Sequence, residues 1–142
     1  MTAERQPNGR WIFKTEPDSY SFDDLLRKKR DIWDGVRNHV ALKHLRNTSV
    51  GDPVLIYHTG SQRALVGLAR VTRAAHADPS SDDPKMVVVE IAADRPLTRP
   101  VPLSEIKADP LYRDFDLVRL GRLSVIPVPE ALWSDLIRRA EG

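Results

Sequence analysis

The sequence predicts an α+β domain organised around a curved antiparallel or mixed sheet. Its apolar patterns run strand, two helices, several strands, then a helix, which departs from the regular alternation of βαβ units. Gly67 falls inside a strand pattern, where it marks a bulge or a closely approached backbone. Pro96, Pro100 and Pro102 make a late segment extended and edge-like, because proline donates nothing to a ladder. At 142 residues the chain fits one domain with a core large enough to need no disulfide or metal. Residues 1–10 are polar, contain Pro7 and Gly9, and read as a flexible lead-in; residues 11–140 form the expected domain.

The first strand is Trp-Ile-Phe-Lys-Thr at residues 11–15, aromatic and β-branched, ended by Pro17. A helix follows. Ser21 is its N-cap, Asp24 stands at N3 as in a capping box, and Tyr20 and Leu25 occupy the staple positions. Phe22, Leu25 and Leu26 share one face, and Arg27-Lys28-Lys29-Arg30 closes the helix at the negative end of its dipole. Asn38 caps a second helix whose apolar stripe is Ala41, Leu42 and Leu45. Gly51-Asp52-Pro53 is a turn before a buried strand at 54–58, and 59–62 loops to a strand at 64–73. Residues 77–84, rich in Asp, Ser and Pro, form a mobile surface loop. Val87, Val89 and Ile91 then alternate with Val88 and Glu90 in a strand with one buried face. Residues 103–108 make at most a short helix, and Arg122-Leu123-Ser124-Val125-Ile126 a last strand ended by Pro127. Pro129 opens a C-terminal helix in which Leu132, Trp133, Leu136 and Ile137 face the core.

Composition removes several function classes. With no cysteine, thiolate catalysis, disulfides and cysteine-bound zinc are excluded. The four histidines lack metal-binding spacing, so neither metal nor cofactor is expected. No apolar run approaches the ~20 residues of a membrane span, and residues 1–10 lack the apolar core of a signal peptide, so the expected compartment is the cytoplasm. Charge is uneven along the chain. Residues 37–73 carry six Lys/Arg and one acid (+5), while 74–116 carry five Lys/Arg and nine acids (−4). Such blocks either build a basic face for phosphates or mix in space as solvated charge.

One stretch concentrates polarity beside an aromatic: Trp33-Asp34-Gly35-Val36-Arg37-Asn38. With Lys14-Thr15-Glu16-Pro17, Val50-Gly51-Asp52, Tyr57-His58-Thr59 and Arg122-Leu123-Ser124-Val125, in that order, it closely resembles the EVE domain of the PUA-like superfamily. The likeness runs from Trp11 to about Ile137. It implies a PUA-like pseudo-barrel of mixed β-strands with flanking helices. EVE domains look related to YTH domains, which read a methylated base in an aromatic cage, so the resemblance implies a reader of a modified base, notably a 5-substituted cytosine, in DNA or RNA. By motif, Lys14, Thr15, Trp33, Asp34, Gly35, Val36, Arg37, Asn38, Tyr57, His58, Thr59, Arg122 and Ser124 surround the implied pocket. Two positions depart from the pattern: Lys85-Met86 stands where a tryptophan is common, and Thr59-Gly60 where Ser-Asn is common.

The residue chemistry fits that expectation. A base removed from its stack needs a π-face and partners for its edge. Trp33 is the candidate stacking wall, with a core indole as the ordinary alternative. Asp34 is a candidate acceptor for the exocyclic amine of cytosine, or else caps the turn at Gly35. Asn38 suits a base edge or serves as the N-cap, and Lys14 and Arg37 suit phosphate or a salt bridge. Strand alternation turns only one of Tyr57 and His58 toward the ligand; His58 with Thr59 is favoured, Tyr57 being a possible second wall. The same alternation puts Arg122 and Ser124 on one face. Two rivals stand beside the reader: a small hydrolase of modified nucleosides, since related ASCH-type amidohydrolases use Lys, Thr and Glu, and a small-molecule-binding regulatory domain. Alternation would take Thr15 away from the side of Lys14 and Glu16, which argues against a Lys-activated Thr nucleophile. Oligomeric state is left open.

Overall fold

The computed structural model describes residues 9–141, so residues 1–8 of the 1–10 lead-in lie outside the described residues. Arg10 is tied to the domain, its carbonyl accepting from the Val128 N–H at 2.8 Å. Six strands form one mixed sheet. They are β1 (Trp11–Thr15), β2 (Arg30–Trp33), β3 (Pro53–His58), β4 (Ala64–Ala77), β5 (Val87–Pro102) and β6 (Val125–Pro127). Their order is β2-β5-β4-β3-β1-β6, with β1 and β3 parallel and every other neighbouring pair antiparallel. Five helices flank it: α1 (Phe22–Lys28), α2 (His39–Arg46), α3 (Leu103–Lys107), α4 (Asp116–Arg119) and α5 (Glu130–Glu141). The α+β expectation holds.

The sheet is curled. In a flat sheet the four steps from β2 to β1 would separate them by roughly 19 Å, at about 4.8 Å per strand. Yet the rings of Trp33 on β2 and Phe13 on β1 lie 5.6 Å apart. α2 also packs against β4, β5 and β6, strands from both halves of the order. Register shifts along β4, including one between Leu65 and Gly67, supply the bending. Among the described residues β2 and β6 have no strand on their outer sides, so the ring is open at one seam: a pseudo-barrel.

Both local helix starts form as the sequence predicts. Ser21 accepts from the Asp24 N–H at 3.1 Å while Asp24 accepts from the Ser21 N–H at 2.8 Å. Asn38 Oδ1 accepts from the Val40 and Ala41 N–H groups at 2.9 and 3.0 Å. Trp11, Ile12 and Phe13 are all buried, the mark of a strand covered on both faces. The turn at Gly51-Asp52-Pro53 carries a buried carboxylate: Asp52 accepts from the Trp11 indole N–H at 2.8 Å and the Ser49 N–H at 2.9 Å.

Four elements differ from expectation. Arg30 does not close α1; Lys29 ends it at φ 73 and Arg30 opens β2, a strand too short and irregular in pattern to read. β4 runs to Ala77, past residue 73. Val88 and Ala92 are buried along with Val89 and Ile91, because α1, α2 and α5 all pack on β5 and cover both faces. The last strand keeps only Val125–Pro127, so Arg122 and Ser124 precede it and strand alternation does not govern them.

The basic and acidic sequence blocks interleave. Antiparallel pairing of β4 with β5 sets Arg70 against Asp94, and Arg46 donates to the Lys85 carbonyl at 2.8 Å. An ion cluster docks α5. Arg99 grips Glu105 through two 2.9 Å hydrogen bonds, and Arg139 reaches Glu105 at 3.1 Å, Asp135 at 2.8 Å and also Asp109. The hydrogen bonds from Arg99, opposed by partial burial and joined by Arg139, hold the Glu105 carboxyl down at about 2. Protonation has to displace these contacts. The stability they contribute is therefore complete above the ordinary value of 4.5 and declines as pH falls from there toward about 2. In urea titrations across that window, Glu105→Gln should flatten the acid-side loss relative to the unmodified chain.

Candidate base-binding cavity

The seam of the pseudo-barrel holds a cavity of about 450 Å³. Curling brings β2 and the loop after it against β1, so Lys14 and Thr15 meet Trp33-Asp34-Gly35-Val36-Arg37 across a short gap, with Ser124 beside them. Eight of the thirteen sequence candidates therefore share one site. The loop turns at Gly35, whose φ of +78° favours a residue without a Cβ.

Trp33 is the floor of this cavity. It is 7% exposed and sits against Phe13 at 5.6 Å and edge-on to Tyr20 at 6.0 Å. The wall and core readings of this indole thus merge: most of the ring is core, and its remaining surface is offered to the site. Asp34 and Arg37 are exposed, and among the described residues neither forms a hydrogen bond or ion pair. Asp34 leaves a carboxylate acceptor at the cavity, while the Arg37 guanidinium lies near enough to Asp78 for their charges to interact. Lys14 Nζ donates to the Gly121 carbonyl at 3.0 Å and lies 5.6 Å over the Tyr57 ring, and burial pushes its pKa down.

Sequence reasoning missed four lining residues: Tyr20, Lys28, Asp31 and Ile32. The Tyr20 hydroxyl donates to Asp31 Oδ2 at 2.6 Å, and Lys28 Nζ meets the same oxygen at 3.2 Å. Burial, followed by that bond and the Asp31 charge, pushes the Tyr20 phenol well above its ordinary value, so it stays a neutral donor. Tyr20 reads as a staple and Lys28 as a helix-end charge, roles that do not announce a cavity wall.

Other candidates lie elsewhere. His58 is structural: its Nε2 accepts from the Phe22 N–H at 3.0 Å, so Nδ1 carries the proton toward Gln62 Oε1 at 2.8 Å. That fixes the start of α1 and keeps the imidazole out of the cavity. Asn38 spends its carbonyl oxygen on the α2 cap and, with Arg122, borders a separate apolar hollow. Tyr57 and Thr59 line a smaller neighbouring cavity that shares Lys14. Met86 packs on the core and is absent from the seam lining, so it does not substitute for a cage aromatic there.

The alternation argument against a Thr15 nucleophile fails, because Lys14 and Thr15 line the same cavity. What disfavours it is bonding. The Thr15 hydroxyl donates to the Tyr20 carbonyl at 2.6 Å, and Lys14 Nζ is turned to Gly121. A larger cavity of about 720 Å³ lies beside Trp11, Leu111 and Phe115, and none of the thirteen candidates borders it. Among the described residues no helix is long and apolar enough to cross a membrane.

Comparison with known proteins agrees with this architecture. Thymocyte nuclear protein 1 of Danio rerio is 31% identical, over 84% of this chain and 66% of that protein. The chain spans between about half and three-quarters of the length of the curated relatives it matches. Rpa0253 from Rhodopseudomonas palustris superposes with a TM-score of 0.87 at 38% identity, covering 94% of this chain and 93% of that one. The human THYN1 protein, solved in complex with DNA containing 5-methylcytosine, gives 0.86 at 27% identity, covering 95% and 99%. An ASCH protein from Zymomonas mobilis shares the fold alone, at 12% identity and a TM-score of 0.60. The model of the EVE domain matches residues 9–139, and the chain belongs to the EVE domain family.

Proposed function

We propose that the chain is a nucleic-acid-binding domain that reads a modified pyrimidine, 5-methylcytosine or a related 5-substituted cytosine, in the seam cavity. The observation that carries this reading is the free Asp34 carboxylate above the Trp33 floor, inside a cavity whose size fits an extruded base. Asp34 accepts from the cytosine exocyclic amine, Trp33 and Tyr20 supply apolar contact, and Arg37 with Lys14 meets carbonyl or phosphate oxygen. The 5-methylcytosine DNA bound by the human relative supports the choice of ligand. The alternatives, a nucleoside hydrolase or a small-molecule regulatory domain, gain nothing from the engaged Thr15 and Lys14. We treat residues 11–140 as the reading unit.

Two affinities test it. A duplex carrying one 5-methylcytosine should bind more tightly than its unmodified twin, and Asp34→Ala should weaken the modified duplex about tenfold, the scale of one charge-assisted hydrogen bond. Because Asp34 is exposed and unpartnered, that variant should unfold at the wild-type midpoint. Equal affinity for both duplexes in the wild type overturns the reading.

A further inference from the structure

Next to the seam lies a second cavity, of about 220 Å³, that shares Lys14 with it. Its polar walls are Lys14, Tyr57, Thr59, Arg63 and Lys107, and no lining residue is acidic. The nearest carboxylate in the hydrogen-bond network, Glu16, meets Thr59 Oγ1 at 3.4 Å without lining the cavity. Three cationic side chains and no carboxylate line the hollow, and Glu16 stands just outside it, so the lining favours an anion.

Two further features point into this hollow. Tyr57 is 3% exposed, yet among the described residues its hydroxyl has no hydrogen-bond partner, and it is not sealed off from solvent. A nearly buried phenol would ordinarily bond a neighbour; this one belongs to a residue that lines the cavity, where an O–H donor is of use to an anion. Arg63 holds a backbone φ of +45°, which is uncommon for a residue with a side chain, while its carbonyl accepts from the Leu103 N–H at 2.8 Å. The Arg63 side chain is exposed and lines the cavity, so its guanidinium is available to an anion there.

We propose that this cavity is a phosphate site, taking the backbone phosphodiester next to the nucleotide whose base enters the seam. It rests on the base-reading function above. Tyr57 donates its hydroxyl to a non-bridging oxygen, and Lys14, Arg63 and Lys107 neutralise the charge. Lys14 borders both cavities, so base and phosphate are gripped around one shared side chain. The phosphate site adds affinity without regard to the base, and the seam adds the preference.

Tyr57→Phe and Lys107→Ala test this in the full chain, with modified and unmodified duplexes and with 5-methyl-dCMP as probes. Tyr57→Phe keeps the ring in the core and should weaken both duplexes by the same factor, about tenfold. Lys107→Ala should lower the slope of log affinity against log salt by about one. A methylphosphonate beside the modified base should cost the wild type that factor and cost Tyr57→Phe little more. Unchanged affinity in Tyr57→Phe together with an unchanged slope in Lys107→Ala overturns the proposal. If instead the wild type shows no preference for the modified duplex but both variants weaken binding, the phosphate site stands and the base reading falls. Tight binding of 5-methyl-dCMP, with no gain on embedding it in a duplex, would assign the cavity to a free nucleotide and also overturn the polymer site.

Discussion

Trp33→Ala should lower the free energy of unfolding by about 3–5 kcal/mol, the usual cost of deleting a large buried aromatic. Trp33 is 7% exposed and touches both Phe13 on β1 and Tyr20 before α1, so its ring joins edge strand β2 to β1, the strand next to the other edge. Removing it opens a void where β2 meets β1, at the place where the cavity is assembled. Against the ~5–15 kcal/mol that holds a typical domain, such a loss is large. Thermal and urea unfolding would show it directly. Lost DNA binding in this variant follows from lost structure and says little about stacking. Trp33→Phe is the better probe of stacking, since it keeps an aromatic floor, and Asp34→Ala probes the base edge without touching the core.

Gly67→Ala should cost about 2–3 kcal/mol, at the upper end of ordinary overpacking. A Cβ at Gly67 would lie 2.4 Å from two atoms of the Phe22 ring, far inside contact distance. The ring cannot swing away cheaply. It is 3% exposed, and the Phe22 N–H is tied to His58 Nε2 at 3.0 Å. The strain would pass into α1, which carries Lys28 and follows Tyr20 on the wall of the seam, so affinity should fall with stability. Phe22→Leu alone leaves a void, but in the double variant it makes room for the new methyl. The pair should then cost less than the two changes summed, as contacting residues do. Strict additivity in denaturant midpoints would mean that the ring does not set the requirement for glycine.

Much of this was legible locally. The capping box at Ser21 and Asp24, the Asn38 cap and the first strand with its buried Trp11, Ile12 and Phe13 follow from residue types at short spacing. Gly67 also spoke in sequence: both a bulge and a close approach are present. The motif order carried the family. What local pattern does not encode is curling. Only the meeting of β2 with β1 turns Tyr20, Lys28 and Asp31 into cavity walls, and nothing in those residues names their distant partner. His58 fails for the same reason. Its partner, the Phe22 N–H, is 36 residues away, and a histidine beside a tyrosine on a strand looks alike whether it binds a ligand or ends a helix. Arg122 and Ser124 were read by strand alternation, which ceases to apply once the strand begins at Val125.

The central claim is that the base enters the seam. It is tested most directly by following backbone amide and indole N–H resonances while titrating a duplex with one 5-methylcytosine. The account predicts large shifts at Gly35, Val36, Arg37 and the Trp33 indole, and smaller shifts there with the unmodified duplex. Shifts centred instead on Trp11, Leu111 and Phe115 at the larger cavity, or identical shifts with both duplexes, would contradict it.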